Sequence, residues 1–169
     1  MTSTTKALEP GLVVESRPYD HPDASRLVRA LFDDQTSRYG YADPFEADPA
    51  AYAPPSGLFL VGYLDEIAVV CGGYRTFDAR TATVEIKKMY TTPDLRGHGL
   101  GQRILTELER AAVLGGARRA ILETGVRNIA ALTLYTGVGY QPTGRYVEGR
   151  DPAINRAFVK ELSGRLATR

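Results

Sequence analysis

Residues 95–102, LRGHGLGQ, set three glycines at alternate positions behind Arg96 and directly ahead of an amphipathic run. Without a Cβ, the backbone at Gly97, Gly99 and Gly101 can approach a ligand closely. A helix start offers unpaired N–H groups and roughly half a positive charge, and Arg96 adds a full one. The chemistry such a turn serves is anion binding, most often of phosphate. Three phosphate turns compete. The P-loop pattern G-x-x-x-x-G-K-[ST] occurs nowhere in the chain. The dinucleotide pattern G-x-G-x-x-G is met at Gly97 and Gly99, but its third glycine position is Gln102, and the turn does not follow the first strand. A helix N-terminus gripping a diphosphate through successive N–H groups fits. A glycine-rich connection with no ligand is the plain alternative, and the turn alone would favour it.

The elements around the turn must position it. Leu100, Ile104, Leu105, Leu108, Ala111 and Ala112 recur at helical spacing, and Gly115-Gly116 ends the run. Residues 81–92 are rich in β-branched side chains and predict a strand. RAILET (119–124) predicts a short buried one. Residues 83–124 are therefore a strand–helix–strand unit with parallel strands and a right-handed crossover. A helix over 128–140 and a strand over 157–162 follow. Upstream, LVVES (12–16) predicts the first strand. A helix runs from an N-cap at Asp23 to Gly40, with Leu27, Val28, Leu31 and Phe32 as its apolar stripe. Segments 58–64 and 67–77 around Asp65-Glu66 predict a hairpin, with Gly72-Gly73 marking a bulge. Residues 41–57 are a Pro-, Ala- and Asp-rich loop with a short helical turn, either a substrate-side wall or a plain connection. The fold class is α/β, of α+β character, with a mixed sheet flanked by helices. Residues 1–10 read as a flexible tail and 11–169 as one domain.

The 169 residues hold 21 Lys plus Arg against 20 Asp plus Glu, a net charge of +1. That balance argues against a nucleic-acid partner recruited by bulk charge. The lone cysteine, Cys71, has no internal disulfide partner and no metal-ligand cluster around it, so no metal is expected. The N-terminus lacks the apolar core of a secretory signal, and no apolar run approaches the ~20 residues of a membrane span. The expectation is a cytoplasmic protein with no membrane partner.

The stretch MYTTPDLRGHGLGQRIL, followed by LETGVRNIAALTLYTGVGY, resembles the GNAT superfamily of acetyl-CoA-dependent N-acetyltransferases. Arg96, Gly97, His98, Gly99, Leu100 and Gly101 stand where that family's R-G-x-G-x-G/A turn grips the CoA diphosphate. Asn128, Leu134, Tyr135, Gly139 and Tyr140 stand at its second element, an Asn followed by L-Y-x-x-x-G-F. The likeness covers roughly residues 58–160. Thr92, Gly137 and Tyr140 (for Phe) depart from the pattern; Gly137 weakens its helix end by up to ~1 kcal/mol.

The resemblance implies a single-domain transferase moving acetyl from acetyl-CoA to a primary amine of a small molecule or peptide. It implies that main-chain groups of Met89, Tyr90 and Thr91 pair with the pantetheine arm, between two splayed parallel strands. One of their N–H groups would face the thioester oxygen, a role worth ~3 kcal/mol in other acyl-transfer sites. Asn128 belongs to the cofactor side. Tyr135 matches the general acid: a phenol of pKa ~10 can protonate a thiolate whose parent thiol titrates near ~8.5. Asn128 and Tyr135, two helical turns apart, share a face; alone, Tyr135 would read as a half-buried core residue. For the base, Glu85 on the cofactor strand resembles bases of some family members, and could equally pair with Lys87 or a neighbouring strand. Glu123 on the parallel strand is a weaker candidate.

His98 faces phosphate if the motif holds, His21 reads as structural and Cys71 as core packing. The basic run at 117–119 is either a solvated edge or a partner for the CoA 3′-phosphate. Tyr39, Tyr41 and Tyr52 either pack or line a substrate cleft. The resemblance implies an acceptor site built from residues 20–57 and 143–156, where Asp33, Asp34, Glu46 and Asp48 are either solvated or attract a cationic amine. Dimer formation is common in the family and stays open. The alternatives to catalysis are a non-catalytic acyl-CoA-binding or sensory module and a nucleotide-binding oxidoreductase, the latter disfavoured by the missing glycine.

Overall fold

The computed structural model of the protein describes residues 11–162; the tail expected over 1–10 lies outside them. In chain order the elements are β1 (Val13–Ser16), α1 (Pro22–Tyr39), β2 (Gly57–Leu64), β3 (Ile67–Asp78), β4 (Thr83–Thr91), α2 (Leu100–Leu114), β5 (Arg119–Gly125), α3 (Ile129–Gly137), β6 (Gln141–Thr143) and β7 (Asn155–Glu161). The strands form one sheet in the order β1-β2-β3-β4-β5-β7-β6. Every neighbouring pair is antiparallel except β4 and β5, which are parallel. The expected mixed sheet is present, with β6 an added short strand whose Gln-Pro-Thr sequence carries no strand signal.

The helices form where apolar spacing and caps coincide. On α2, Leu100, Ile104, Leu105, Leu108 and Ala112 are buried against one face of the sheet. Each buried Leu or Ile contributes about 1.5–3 kcal/mol. Helix α1 covers the opposite face, where Leu27 and Val28 meet Tyr52, Phe59, Val61 and Cys71. Its cap is His21, not Asp23: Nδ1 of His21 accepts from the Asp23 N–H at 3.1 Å, and Pro22 opens the helix. Asp23 instead accepts from the Tyr63 hydroxyl at 2.8 Å. The hairpin turn sits at Asp65 and Glu66, both with positive φ (47° and 65°), as a tight two-residue turn requires. No helix among the described residues is long and apolar enough to cross a membrane.

One expectation is corrected. The pairing is irregular at Gly72-Gly73 as expected, but the bulged strand is β4. Pairing moves from Cys71↔Tyr90 to Gly73↔Lys87, so the extra residue belongs to β4, where Lys88 has φ +62°. The two glycines serve packing. A Cβ on Gly72 would lie 2.2 Å from Met89 Sδ, and one on Gly73 2.8 Å from the Phe59 ring. The bulge re-phases the strand. Lys87 and Lys88 both reach the loop after α1, through Asp43 and the Pro44 carbonyl, while Met89 packs into the α2-side core.

Candidate active site

The glycine turn stands at the mouth of α2. Gly97 and Gly99 have φ of +80° and +82°, values that side-chain-bearing residues rarely adopt. Gly99 caps the helix without any side-chain bond. The first amide bonded into the helix is that of Arg103, which donates to the Gly99 carbonyl at 3.1 Å. The N–H groups of residues 97–102 have no acceptor among the described residues. Nδ1 of His98 is buried beside them without a partner. Buried or aligned donors of this kind need an acceptor, and the helix field favours an anionic one. Arg96 is committed elsewhere: Nε donates to the Thr91 carbonyl at 3.0 Å, Nη2 lies 3.9 Å from Asp34, and the guanidinium stacks over Tyr90. It ties the turn to β4 and α1.

Beside the turn the sheet parts. β4 and β5 pair only at Thr83↔Arg119, Val84↔Ala120 and Glu85↔Ile121. Beyond that, Met89, Tyr90 and Thr91 face a gap on the β5 side. Helix α3 closes the region, because Leu134 and the Thr91 side chain both lie against Gly101. Asn128 is the α3 N-cap; its Oδ1 accepts from the Ala131 N–H at 3.1 Å, leaving its amide N–H groups available. Tyr135 is 6% exposed and packs edge-on to Tyr140. Burial raises its pKa, so it holds its proton.

On the α1 side of the same strands lies a network of charges. Glu85 is 3% exposed; one carboxylate oxygen accepts from Arg75 (2.9 and 3.0 Å), the other from the Tyr146 hydroxyl (2.8 Å). Its ion-pair partner is thus Arg75 on β3 rather than Lys87. Asp43 accepts from Lys87 at 3.3 Å and from Arg150 at 2.5 Å. Burial pushes the Asp43 carboxyl up, but those two cations outweigh it and hold its pKa below the ordinary value. Glu123, in the parted segment of β5, lies 3.5 Å from Arg150 Nε. Its pKa is raised, by burial first, with Arg150 opposing. Lys88 is pushed down to about 8, by burial first and then by Lys87.

The loops expected to carry the acceptor do converge: Asp43 comes from 20–57, Tyr146 and Arg150 from 143–156. Asp43, Lys88, Tyr146 and Arg150 were not singled out in the sequence, and Lys87 only as an alternative partner for Glu85. Only the doubled lysine in an alternating strand signals anything, since strict alternation would turn Lys88 toward the core. Other candidates have structural partners. Tyr52 is buried against Tyr19 and Phe59. Tyr39 accepts from the Arg127 N–H, and Tyr41 from Asn155. Cys71 is fully buried and donates to the Lys88 carbonyl. Asp48 caps a short turn, Asp34 pairs with Arg38, and Arg119 pairs with Glu161 at the exposed end of the β5–β7 ladder. No group of His, Cys, Asp and Glu able to hold a metal occurs among the described residues.

Comparison with known proteins places this parted mixed sheet and its unpaired helix mouth in a known family. The profile of the acetyltransferase (GNAT) family matches residues 25–140. The chain belongs to that family and is an acetyltransferase. It is 33% identical over 108 residues to an IAA acetyltransferase of Azospirillum brasilense, spanning 62% of this chain and 69% of that one. Among solved structures, a GNAT-family acetyltransferase from Staphylococcus aureus superposes with a TM-score of 0.74 at 14% identity, covering 90% of this chain and 99% of the other. A GNAT-family acetyltransferase from Elizabethkingia anophelis, solved with acetyl-CoA bound, gives 0.66 at 15% identity, covering 90% and 99%. Both structural likenesses establish the fold.

Proposed function

We propose that the protein transfers acetyl from acetyl-CoA directly to a primary amine. The observation that carries this is the row of N–H groups at 97–102 with no acceptor among the described residues, close to strands β4 and β5 that stop pairing after Glu85. These donors suit a diphosphate, and the buried Nδ1 of His98 suits a further polar contact to it. The edge of β4 at Met89, Tyr90 and Thr91 offers main-chain groups to an amide-bearing arm, and Asn128 keeps free amide donors near the α3 start. The bound thioester supplies an activated acetyl carbonyl. The chain positions it and manages the protons.

Tyr135 is the general acid. Its hydroxyl is kept protonated by burial, and it gives that proton to the departing sulfur. For the base we assign Glu123 ahead of Glu85. Both oxygens of Glu85 are occupied by Arg75 and Tyr146, and a base needs a lone pair facing the amine. Glu123 lies where the strands have parted, its basicity raised by burial. Glu85 then holds Arg75 and Tyr146 in place.

Binding tests the first half of this. Acetyl-CoA at a hundredfold excess over Kd adds ~2.7 kcal/mol, which raises Tm by about 5–10 °C; NAD should leave Tm where it was. Thiol release across a panel of amines tests the second. No shift with acetyl-CoA, or a shift equalled by NAD, would remove the assignment.

A further inference from the structure

The charges of the acceptor side do not balance. Four cations gather there: Arg75, Lys87, Lys88 and Arg150. Three carboxylates face them: Asp43, Glu85 and Glu123. Arg75 is neutralised by Glu85, while Lys87 and Arg150 share Asp43, with Glu123 beyond Arg150. Lys88 has no carboxylate partner among the described residues; its Nζ donates only to the Pro44 carbonyl, at 2.9 Å. Burial, Lys87 and Arg75 all disfavour this cation, and the nearby Asp43 carboxylate only partly offsets them, so its pKa stays depressed. Nor does the fold place it there by default. Regular alternation would point residue 88 to the opposite face, and the left-handed backbone at φ +62° is strained in a residue with a side chain. The bulge sets the Lys88 ammonium against the loop after α1, on the same side as Lys87 and Asp43.

We propose that Lys88 selects the acceptor: the amine this protein acetylates also carries a carboxylate, which completes the ion pair that Lys88 lacks. The class is a small amino acid rather than a polyamine or a simple alkylamine. The carboxylate takes Lys88 Nζ in place of the Pro44 carbonyl, and the amine lies toward Glu123. This rests on the acetyl-transfer reading above and narrows it.

The test pairs each of several amino acids with its carboxamide and its decarboxylated amine, following thiol release from acetyl-CoA. The carboxylates should exceed both analogues by about tenfold or more in kcat/KM, a difference of ~1.4 kcal/mol. Lys88→Met should erase most of that preference, mainly through acceptor KM. Its loss with the carboxylate should exceed its loss with the carboxamide by about tenfold. Lys88→Arg should keep part of the preference, because the charge remains. Carboxamides or plain amines used as well as the acids would overturn the inference. So would a Lys88→Met loss equal for both classes, or acetyl-CoA binding with no amino acid turned over. Failure of acetyl-CoA to bind at all is the separate result that removes the acetyl-transfer reading itself.

Discussion

The two sides of the parted strands are built from different materials. The turn at 96–101 works through the main chain: bare amides fixed by glycine backbone geometry and a helix axis, in one contiguous stretch. The side we propose for the acceptor is built from side chains: Asp43, Arg75, Glu85, Lys87, Lys88, Glu123, Tyr146 and Arg150, drawn from three strands and two loops. A backbone site cannot be retuned by side-chain exchange without breaking the turn. A side-chain network can be retuned one residue at a time. The turn therefore suits a ligand that never changes, and the network one that must be chosen.

The sharpest way to break this contrast is Gly99→Val. The left-handed backbone there (φ +82°) strains any branched residue by about 1–2 kcal/mol, and the side chain screens the amides. Acetyl-CoA affinity should fall at least ~100-fold by calorimetry, with the circular dichroism spectrum retained. A Kd within about threefold of wild type would mean the amides are not the site. Next in size is Tyr135→Phe, expected to lower kcat by about 100-fold or more while acetyl-CoA Kd holds. Equal turnover would return Tyr135 to core packing.

Glu123→Gln sharpens the acceptor half. Burial lifts this carboxyl above its ordinary range, so kcat/KM should decline as pH drops through that raised value. The variant should lose that limb and about 100-fold in rate, whereas Glu85→Gln should keep the limb. The smallest effect is Asp43→Asn. The Asp43 pKa is lowered in the fold, so its contribution is present above the ordinary carboxylate pKa and is lost as pH falls through the depressed one. At neutral pH the variant should lose about 1–2 kcal/mol, a Tm decrease of roughly 3–8 °C, and the gap from wild type should close in acid.

The same contrast explains what could be read from residues alone. The turn, α2, the hairpin and the β4–α2–β5 unit were legible because each is a local pattern: glycine spacing, apolar periodicity, β-branched runs. Asp43 and Arg150 were not, since 107 residues separate the two ends of their bond and nothing near either one announces the other. The His21 cap was missed because a histidine ahead of a proline is a weak start signal beside an aspartate. The bulge was assigned to Gly72-Gly73 because glycine is the expected residue there; tertiary packing put the positive φ on Lys88 instead, and spent the glycines on making room for Met89 and Phe59. Glu85 was legible as a candidate base or a cross-strand ion-pair partner, but its satisfaction by Arg75 and Tyr146 was not.

The brief pairing of β4 with β5 has a mechanical consequence. Among the described residues, β4 and β5 pair only from Thr83 to Glu85, with the Ala82 carbonyl accepting from Arg118 and Arg119 just ahead of them, so past that seam two neighbouring strand edges lie bare. A guest lying along them would act as a missing rung, closing the ladder with its own amides. Amide hydrogens of 86–91 and 122–125 should then exchange more slowly once it is seated, making the molecule stiffest at the moment its reactants are both aboard.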